Sequence, residues 1–407
     1  MKNTIKLILA LSLLTFSSCK PDEPIDKPVN TVLIGTLTEN KTLTSDKVWT
    51  LKGYVYVPEG ITLTIEPGTR IEGDIEEKAA LCIERGGKII AEGTMDRPIV
   101  FTSGQSTPKP GDWGGIVVLG KATTNKVEPT IEGGIGRPYG GNDDNDNSGV
   151  LKYVRVEYAG VAAFPNSEIN AFTFGGVGSG TVVEYLESYY GNDDAFEFFG
   201  GTVNCKYLLA VGTADDDFDF DFGYRGTIQY AIAKRDPQFV DGGDAGNGIE
   251  CDNDGTGSNA TPTTKPILKN FTVIGPSDLN SLPNHNLAMR WRRASTFSVE
   301  SSIFYGHLKG GFSIESDETA TAFKTGVSDF KNNYIYSLDT TKLVISKSTL
   351  LTTQEMVDLC KTNGNVLSTK NDKPFDNNIQ TISSLVNGQW GAIPSGSSNW
   401  TLGWTKF

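Results

Sequence analysis

Two stretches, GNDDAFEFFGG at Gly191–Gly201 and GTADDDFDFDFGY at Gly212–Tyr224, alternate phenylalanine with carboxylate. They do so in step: Phe196 and Phe218, Glu197 and Asp219, Phe198 and Phe220, Asp194 and Asp216, and Gly201 and Gly223 are each 22 positions apart. Tyr185, Tyr207 and Tyr230 follow at spacings of 22 and 23. Alternation with a period of two marks strands with one face in and one face out. A repeat of about 22 residues is what one coil of a parallel β-helix consumes, and in such a coil like side chains stack on like. Phe196 and Phe198 should therefore point inward onto Phe218 and Phe220, leaving Glu197 outside above Asp219. Carried across longer loops, NGIECDND places Ile249 and Cys251 inside with Glu250 and Asp252 outside, and LAMRWRR places Met289 and Trp291 inside with Arg290 and Arg292 outside.

The composition agrees with an all-β protein. The 407 residues are 38% hydrophobic and 21% charged, with 46 glycines punctuating short Val/Ile/Tyr/Phe runs. A net charge of -13 argues against nucleic acid and against an anionic lipid surface, since both require clustered Lys and Arg. Apart from Cys19, the cysteines Cys82, Cys205, Cys251 and Cys360 stand singly, which supports neither a zinc site nor a disulfide framework. The chain has two histidines, His285 and His307, so any chemistry falls mainly to carboxylates.

The runs VYVPEGITLTIEPGTRIEGD (Val55–Asp74), GGKIIAEGTMDRPIVFTS (Gly86–Ser103) and GDWGGIVVLG (Gly111–Gly120) resemble the opening coils of right-handed β-helix proteins of the pectate-lyase-like superfamily. That resemblance implies a right-handed parallel β-helix and no particular activity. The N-terminus carries Lys2 and Lys6, an apolar stretch from Ile8 to Phe16, and then Phe16-Ser-Ser-Cys19, which resembles the lipobox of bacterial lipoproteins. Lys20-Pro-Asp-Glu23 resembles the acidic export signal of Bacteroidetes surface lipoproteins, and the closing NWTLGWTKF (Asn399–Phe407) resembles a largely uncharacterised family of the same group. The implied organisation is a signal peptide at 1–18, a lipidated Cys19 with a tether to residue 31, a parallel β-helix at 32–339 and a cap at 340–407. The cap contains a short helix, since TTQEMVDLCKTNG (Thr352–Gly364) has Met356, Leu359 and Cys360 at helical spacing, a capping-box start and a glycine stop. The implied location is the outer face of the outer membrane.

The acidic ladder is the candidate site. Asp217, Asp219 and Asp221 should share one strand face at intervals of about 6.8 Å, with Glu197 about 4.8 Å from Asp219 on the adjacent coil. Stacked like charges repel unless a cation, an arginine or water offsets them. Calcium, which takes six to eight oxygens, is the cation such a ladder suits; the alternatives are pairing with Arg290, Arg292 or Arg225, or a solvated face. Asp144-x-Asp146-x-Ser148-Gly149 is the first half of an EF-hand-like loop, but Arg155 stands where the bidentate glutamate belongs, leaving at most a partial calcium loop at Asp144 and Asp146. Phe199 and Tyr224, read as exposed, together with Glu250, Arg290 and Arg292, form a candidate ligand surface beside the acids. These residues point to binding of an extracellular polysaccharide for an uptake or adhesion system, with a TonB-dependent porin complex as the partner an uptake system would supply. The other class is a calcium-assisted polysaccharide lyase or a glycoside hydrolase, for which the carboxylates and arginines are available without a recognisable catalytic signature.

Overall fold

The structure is a computed structural model that describes residues 31–164, 167–371 and 390–407. The signal peptide, Cys19 and the tether up to residue 30 lie outside the described residues. The all-β class is as expected. Among the described residues, twenty-six strands form one wound sheet, accompanied by a two-stranded antiparallel hairpin and two α-helices. No helix among the described residues is long and apolar enough to cross a membrane.

Each coil is built from a long strand, bent in the middle, and a short strand on a third face. The bend falls on a residue with positive φ, and these residues lie above one another. Tyr153 (φ 50), Tyr185 (φ 57), Tyr207 (φ 61), Tyr230 (φ 63), Asn270 (φ 56), Ser301 (φ 54) and Asn332 (φ 55) turn seven successive coils. The left-handed region disfavours a β-carbon by about 1–2 kcal/mol, and ring stacking offsets that cost at the tyrosines. Tyr153 and Tyr185 stack at 4.3 Å, Tyr185 and Tyr207 at 4.3 Å, and Tyr207 and Tyr230 at 5.2 Å. The tyrosine repeat read in the sequence is thus a corner, whereas the phenylalanine repeat is core.

The short strands on the third face carry the expected register. Phe172–Gly175, Phe196–Phe199, Phe218–Asp221, Ile249–Cys251, Leu287–Trp291 and Gly310–Ile314 pair in parallel, coil upon coil. Phe196 stacks on Phe218 at 5.4 Å and Phe198 on Phe220 at 5.3 Å, all four rings fully buried. Outside, Glu197 lies opposite Asp219, Asp219 opposite Glu250, and Glu250 opposite Arg290. The column survives the long loops between these strands because the apolar inner residues must meet their counterparts.

A long excursion after the strand Ile116–Leu119 folds back over this face. Ile131, Ile135 and Tyr139 cover outward-facing Cys82, Val117, Leu119 and Phe199, making a second small core outside the coil. Toward the C-terminus, the expected helix Thr353–Thr362 has a capping box between Thr352 and Glu355 and buries Met356 and Cys360. Residues 390–407 run along the tyrosine corner, where Trp404 meets Tyr153 edge-on at 5.6 Å and Trp400 meets Tyr207 at 5.4 Å. The four described cysteines are buried and free.

Phe218→Ala should lower unfolding free energy by about 3–5 kcal/mol, the range for truncating a buried aromatic, because the ring is stacked in the core between coils. Chemical denaturation measures this, and a loss under about 1 kcal/mol would show that the phenylalanine column does not hold the coils together.

Candidate functional site

The strands Phe196–Phe199 and Phe218–Asp221 each follow a tight acidic turn, and the two turns stack. Asp194 accepts the backbone N–H of Asp216 at 2.8 Å, and Asp216 in turn accepts the backbone N–H of Asn247. A carboxylate thus caps the backbone of the next coil, which fixes the turns vertically. Asp193 and Asp215, 22 positions apart, then project beside the column of Glu197 and Asp219. Loops on either side add Glu132, Glu168, Asp241 and Asp244, and the result is a cleft of about 480 Å³ whose charged lining is entirely acidic.

Within this cleft two sets of carboxylate oxygens converge. Oxygens of Asp193, Asp194 and Asp215 lie within 4.8 Å of one another, as do oxygens of Asp194, Glu197 and Asp219. Asp194 belongs to both sets. Asn170 supplies a further polar group through a hydrogen bond from its side-chain amide to Glu197. Among the described residues, no lysine or arginine forms an ion pair with Asp193, Asp194, Glu197, Asp215 or Asp219. Burial, with repulsion between neighbours added, pushes the carboxyls of Asp193, Asp194, Glu197 and Asp219 well above the ordinary range. Asp215 rises to about 8 for the same reasons. The donor set consists of hard oxygens with no histidine or cysteine, which matches calcium rather than zinc.

One coil further on, the ladder changes character. Glu250 receives Arg290 at 3.0 Å and also pairs with Arg292, whose Nε lies 2.9 Å from Asp252. Arg290 also reaches Glu315 at 3.3 Å, and Arg293 reaches Asp252 at 2.6 Å. Both readings of the acidic ladder are therefore realised on one face. Glu250, Arg290 and Arg292 form a balanced ion-pair network, while Glu197 and Asp219 remain without a basic partner. Asp221 faces outward two residues beyond Asp219, accepts the N–H of Phe222 at 2.7 Å, and belongs to neither convergent set.

Several expected site residues sit elsewhere. Asp217 does not share the outward face of Asp219. It occupies the level of Ala195 in the coil before and Gly248 in the coil after, since Phe218 pairs with Phe196 and Ile249. The turn breaks the alternation there, and Asp217 points inward to a fully buried ion pair with Arg235 at 3.3 Å. Burial raises its carboxyl to about 6, held from rising further chiefly by Arg235. Tyr224 is not exposed: its ring lies 4.7 Å from Phe198 in the core and its hydroxyl donates to Val203 O at 3.0 Å. The turn at Gly223 (φ 88) swings it inward. Phe199 does face outward, but Tyr139 at 6.1 Å and Phe222 at 5.6 Å cover it. Neither ring is available for a ligand.

At the expected partial calcium loop, Asp144 and Asp146 are each engaged by the protein's own groups. Asp144 is taken by Arg225 at 2.7 Å and by the backbone and hydroxyl of Thr123, which hold its carboxyl below the usual range against partial burial. Asp146 accepts the Lys121 N–H at 3.1 Å and belongs to no convergent set among the described residues.

The site residues that sequence reasoning missed are Asp193, Asp194, Asp215, Glu132, Glu168 and Asn170. Asp193 and Asp215 repeat at the same 22-residue offset and were legible from it. The glutamates arrive on insertions, where no repeat signals their position.

A family model described as a pectate-lyase like beta helix domain matches residues 35–405. No curated protein and no solved structure matches the chain. The matched span takes in the described coils from the end of the strand Thr31–Thr36 onward and the acidic cleft with them, so this chain belongs to the family of pectate-lyase-like β-helix domains.

Proposed function

We propose that this protein is a surface-exposed lipoprotein, anchored in the outer membrane through Cys19, that binds an extracellular polysaccharide at its acidic cleft with the help of calcium. The observation that carries the reading is the convergence of two carboxylate sets sharing Asp194, with no basic ion-pair partner among the described residues, in a fold that neutralises the same ladder one coil later. Asp193, Asp194, Glu197, Asp215 and Asp219 are the residues that would hold the ion. When bound, calcium supplies positive charge and open coordination positions that attract sugar hydroxyls or carboxylates. The protein's own residues shape the cleft, exclude lysine and arginine from it and keep the carboxylates close. A TonB-dependent porin complex is the partner expected of an uptake role.

An enzyme is the second reading, favoured by closely spaced carboxyls of raised pKa, which suit a general acid beside an ionised partner in glycoside hydrolysis. A lyase fits less well, because it needs a free basic residue and Arg290 and Arg292 are both committed to Glu250.

Calcium should raise the melting temperature, as a ligand specific for the folded state adds about 2.7 kcal/mol at about a hundredfold above Kd. Glu197→Gln with Asp219→Asn should abolish that rise; an undiminished rise in the double variant would place the ion elsewhere. Retention of polysaccharide on a calcium-loaded column without new reducing ends supports binding, whereas reducing ends lost in the double variant would establish the hydrolase. Cys19→Ala should release the protein from the membrane fraction, and unchanged attachment would defeat the anchor.

Proton linkage gives an independent check. Carboxyls raised on folding, such as Asp215 with a value moved from 3.8 to about 8, contribute stability below their unfolded value and lose it as pH rises through the folded one. His285, lowered from 6.5 to about 4, loses stability only as pH falls below its unfolded value. Between pH 6.5 and about 8 the carboxyls act alone. In EDTA the melting temperature should therefore fall across that window and the calcium effect should grow; the double variant should abolish the calcium effect and reduce, without removing, the fall, since Asp215, Glu187 and Glu250, all raised to about 8, remain. A flat profile in the unmodified protein would mean that burial and repulsion do not raise the cleft carboxyls.

A further inference from the structure

The tyrosine corner ends abruptly, and what it leaves behind has the shape of a ring-binding site. Tyr153 stacks on Tyr185 with planes 10° apart, and Tyr185 on Tyr207 at 11°. In the coil before Tyr153 the same corner is Gly93: Lys152 pairs with Glu92, and Val154 pairs with Ile99. The N–H of Gly93 donates to Lys152 O at 2.8 Å, and a β-carbon at Gly93 would come within 2.7 Å of Tyr153 O. This coil therefore cannot carry a fifth ring of the kind that Tyr153, Tyr185, Tyr207 and Tyr230 supply. In its place the structure has a groove of about 790 Å³ lined by Ile90, Gly93, Met95, Tyr153 and Tyr185. Glu92, Asp96 and the ion pair of Lys152 with Glu184 at 3.4 Å stand at its polar border.

We propose that this groove is a second carbohydrate-binding subsite, in which the apolar face of a neutral pyranose continues the tyrosine stack on Tyr153. Gluco- or xylo-configured β-linked sugars present such a face, with their hydroxyls directed outward at the ring edge. An aromatic ring attracts the weakly positive C–H groups of that face through its quadrupole. Pockets that combine an aromatic floor with a few polar groups at the margin are the usual architecture of small-ligand sites. Carboxylates and a lysine at the border provide both acceptors and donors for sugar hydroxyls. The left-handed corner makes the platform rigid: Tyr153 is held by Tyr185 on one face and edge-on by Trp404 at 5.6 Å. Little side-chain freedom remains to be lost on binding. The groove lies at the corner between the two halves of the long strands, away from the short-strand face that carries the acidic cleft, so the inference does not depend on calcium.

The test uses cellohexaose and xylohexaose as probes, the full soluble chain in EDTA, and calorimetry with tryptophan fluorescence as a second readout. Saturable binding of at least one probe is expected, with a change in the emission of nearby Trp404. Tyr153→Ala should weaken it by about tenfold, the equivalent of one lost ring contact. Because that variant also removes a stacking partner, Met95→Trp serves as the companion: it leaves the tyrosines intact and fills the groove, and it should weaken binding at least as much. Glu197→Gln with Asp219→Asn should leave this binding unchanged. No saturable binding of either probe, or binding that survives both Tyr153→Ala and Met95→Trp, overturns the proposal. Binding lost in the cleft double variant and kept in Met95→Trp would assign the sugar to the acidic cleft, overturning this subsite while supporting the cleft.

Discussion

The structure depends on one constraint: in a parallel coil, each side chain meets its own counterpart in the next coil. Phe196 over Phe218 and Phe198 over Phe220 obey it with benefit, because rings stacked at 5.4 and 5.3 Å bury one another in the core. The same geometry then sets Glu197 over Asp219 and Asp194 over Asp216. A fold that stabilises its interior by repetition cannot avoid repetition on its exterior. Where the repeated exterior residue is a carboxylate, the fold must either supply a counter-charge or accumulate repulsion.

Both outcomes are present within four coils, and their contrast is informative. At Glu250 the next strand contributes Arg290 and Arg292, and the ladder closes on itself. At Asp194 the carboxylate is used differently, capping the N–H of Asp216 and also belonging to both convergent sets of the cleft. Charge is also balanced beneath the cleft, where Arg235 pairs with Asp217 and donates to the carbonyls of Thr213, Asp215 and Asn247. One buried guanidinium thus fixes the turn that carries Asp215 and Asp216. His285 and His307 lie fully buried nearby, and burial beside Arg235 drives both below the usual histidine range. Their lowered values leave them neutral, so among charged groups it is Arg235, together with the carboxylate caps of Asp194 and Asp216, that supports the turn.

The parts of this arrangement that were legible in the sequence are those the repeat controls. The phenylalanine offsets specified the core, and the outer column ran correctly from Glu197 through Asp219 and Glu250 to Arg290 across two long loops. Failures cluster where alternation stops. Asp217 belongs to a turn, so its side chain follows the small residues Ala195 and Gly248 inward and not the strand pattern outward. Tyr224 follows a left-handed glycine that reverses the chain into the core. Phe199 was assigned the correct side of the sheet, but the covering excursion with Tyr139 is invisible to a periodicity of two. Glu132 and Glu168 reach the cleft on insertions whose path depends on tertiary packing. The helix Asp317–Lys324, started by Ser316, was also missed, since eight residues give too short a run for its spacing to stand out from the strands.

The tyrosine corner and the acidic cleft are two consequences of the same rule, differing in what happens at the end of a run. A column of like residues has no natural terminus inside the coil; it ends where one coil carries a different residue. The carboxylate column ends in arginine, which satisfies it. The tyrosine column ends downward in Asn270, which keeps the left-handed bend with a smaller side chain, and upward in Gly93, which offers nothing to the last ring. An unsatisfied end of a stack differs from an ordinary exposed aromatic, because its geometry is already set by the rings beneath it. Repetition therefore does more than build the scaffold: each place where a column stops short leaves a preorganised surface whose chemistry is that of the residue being repeated.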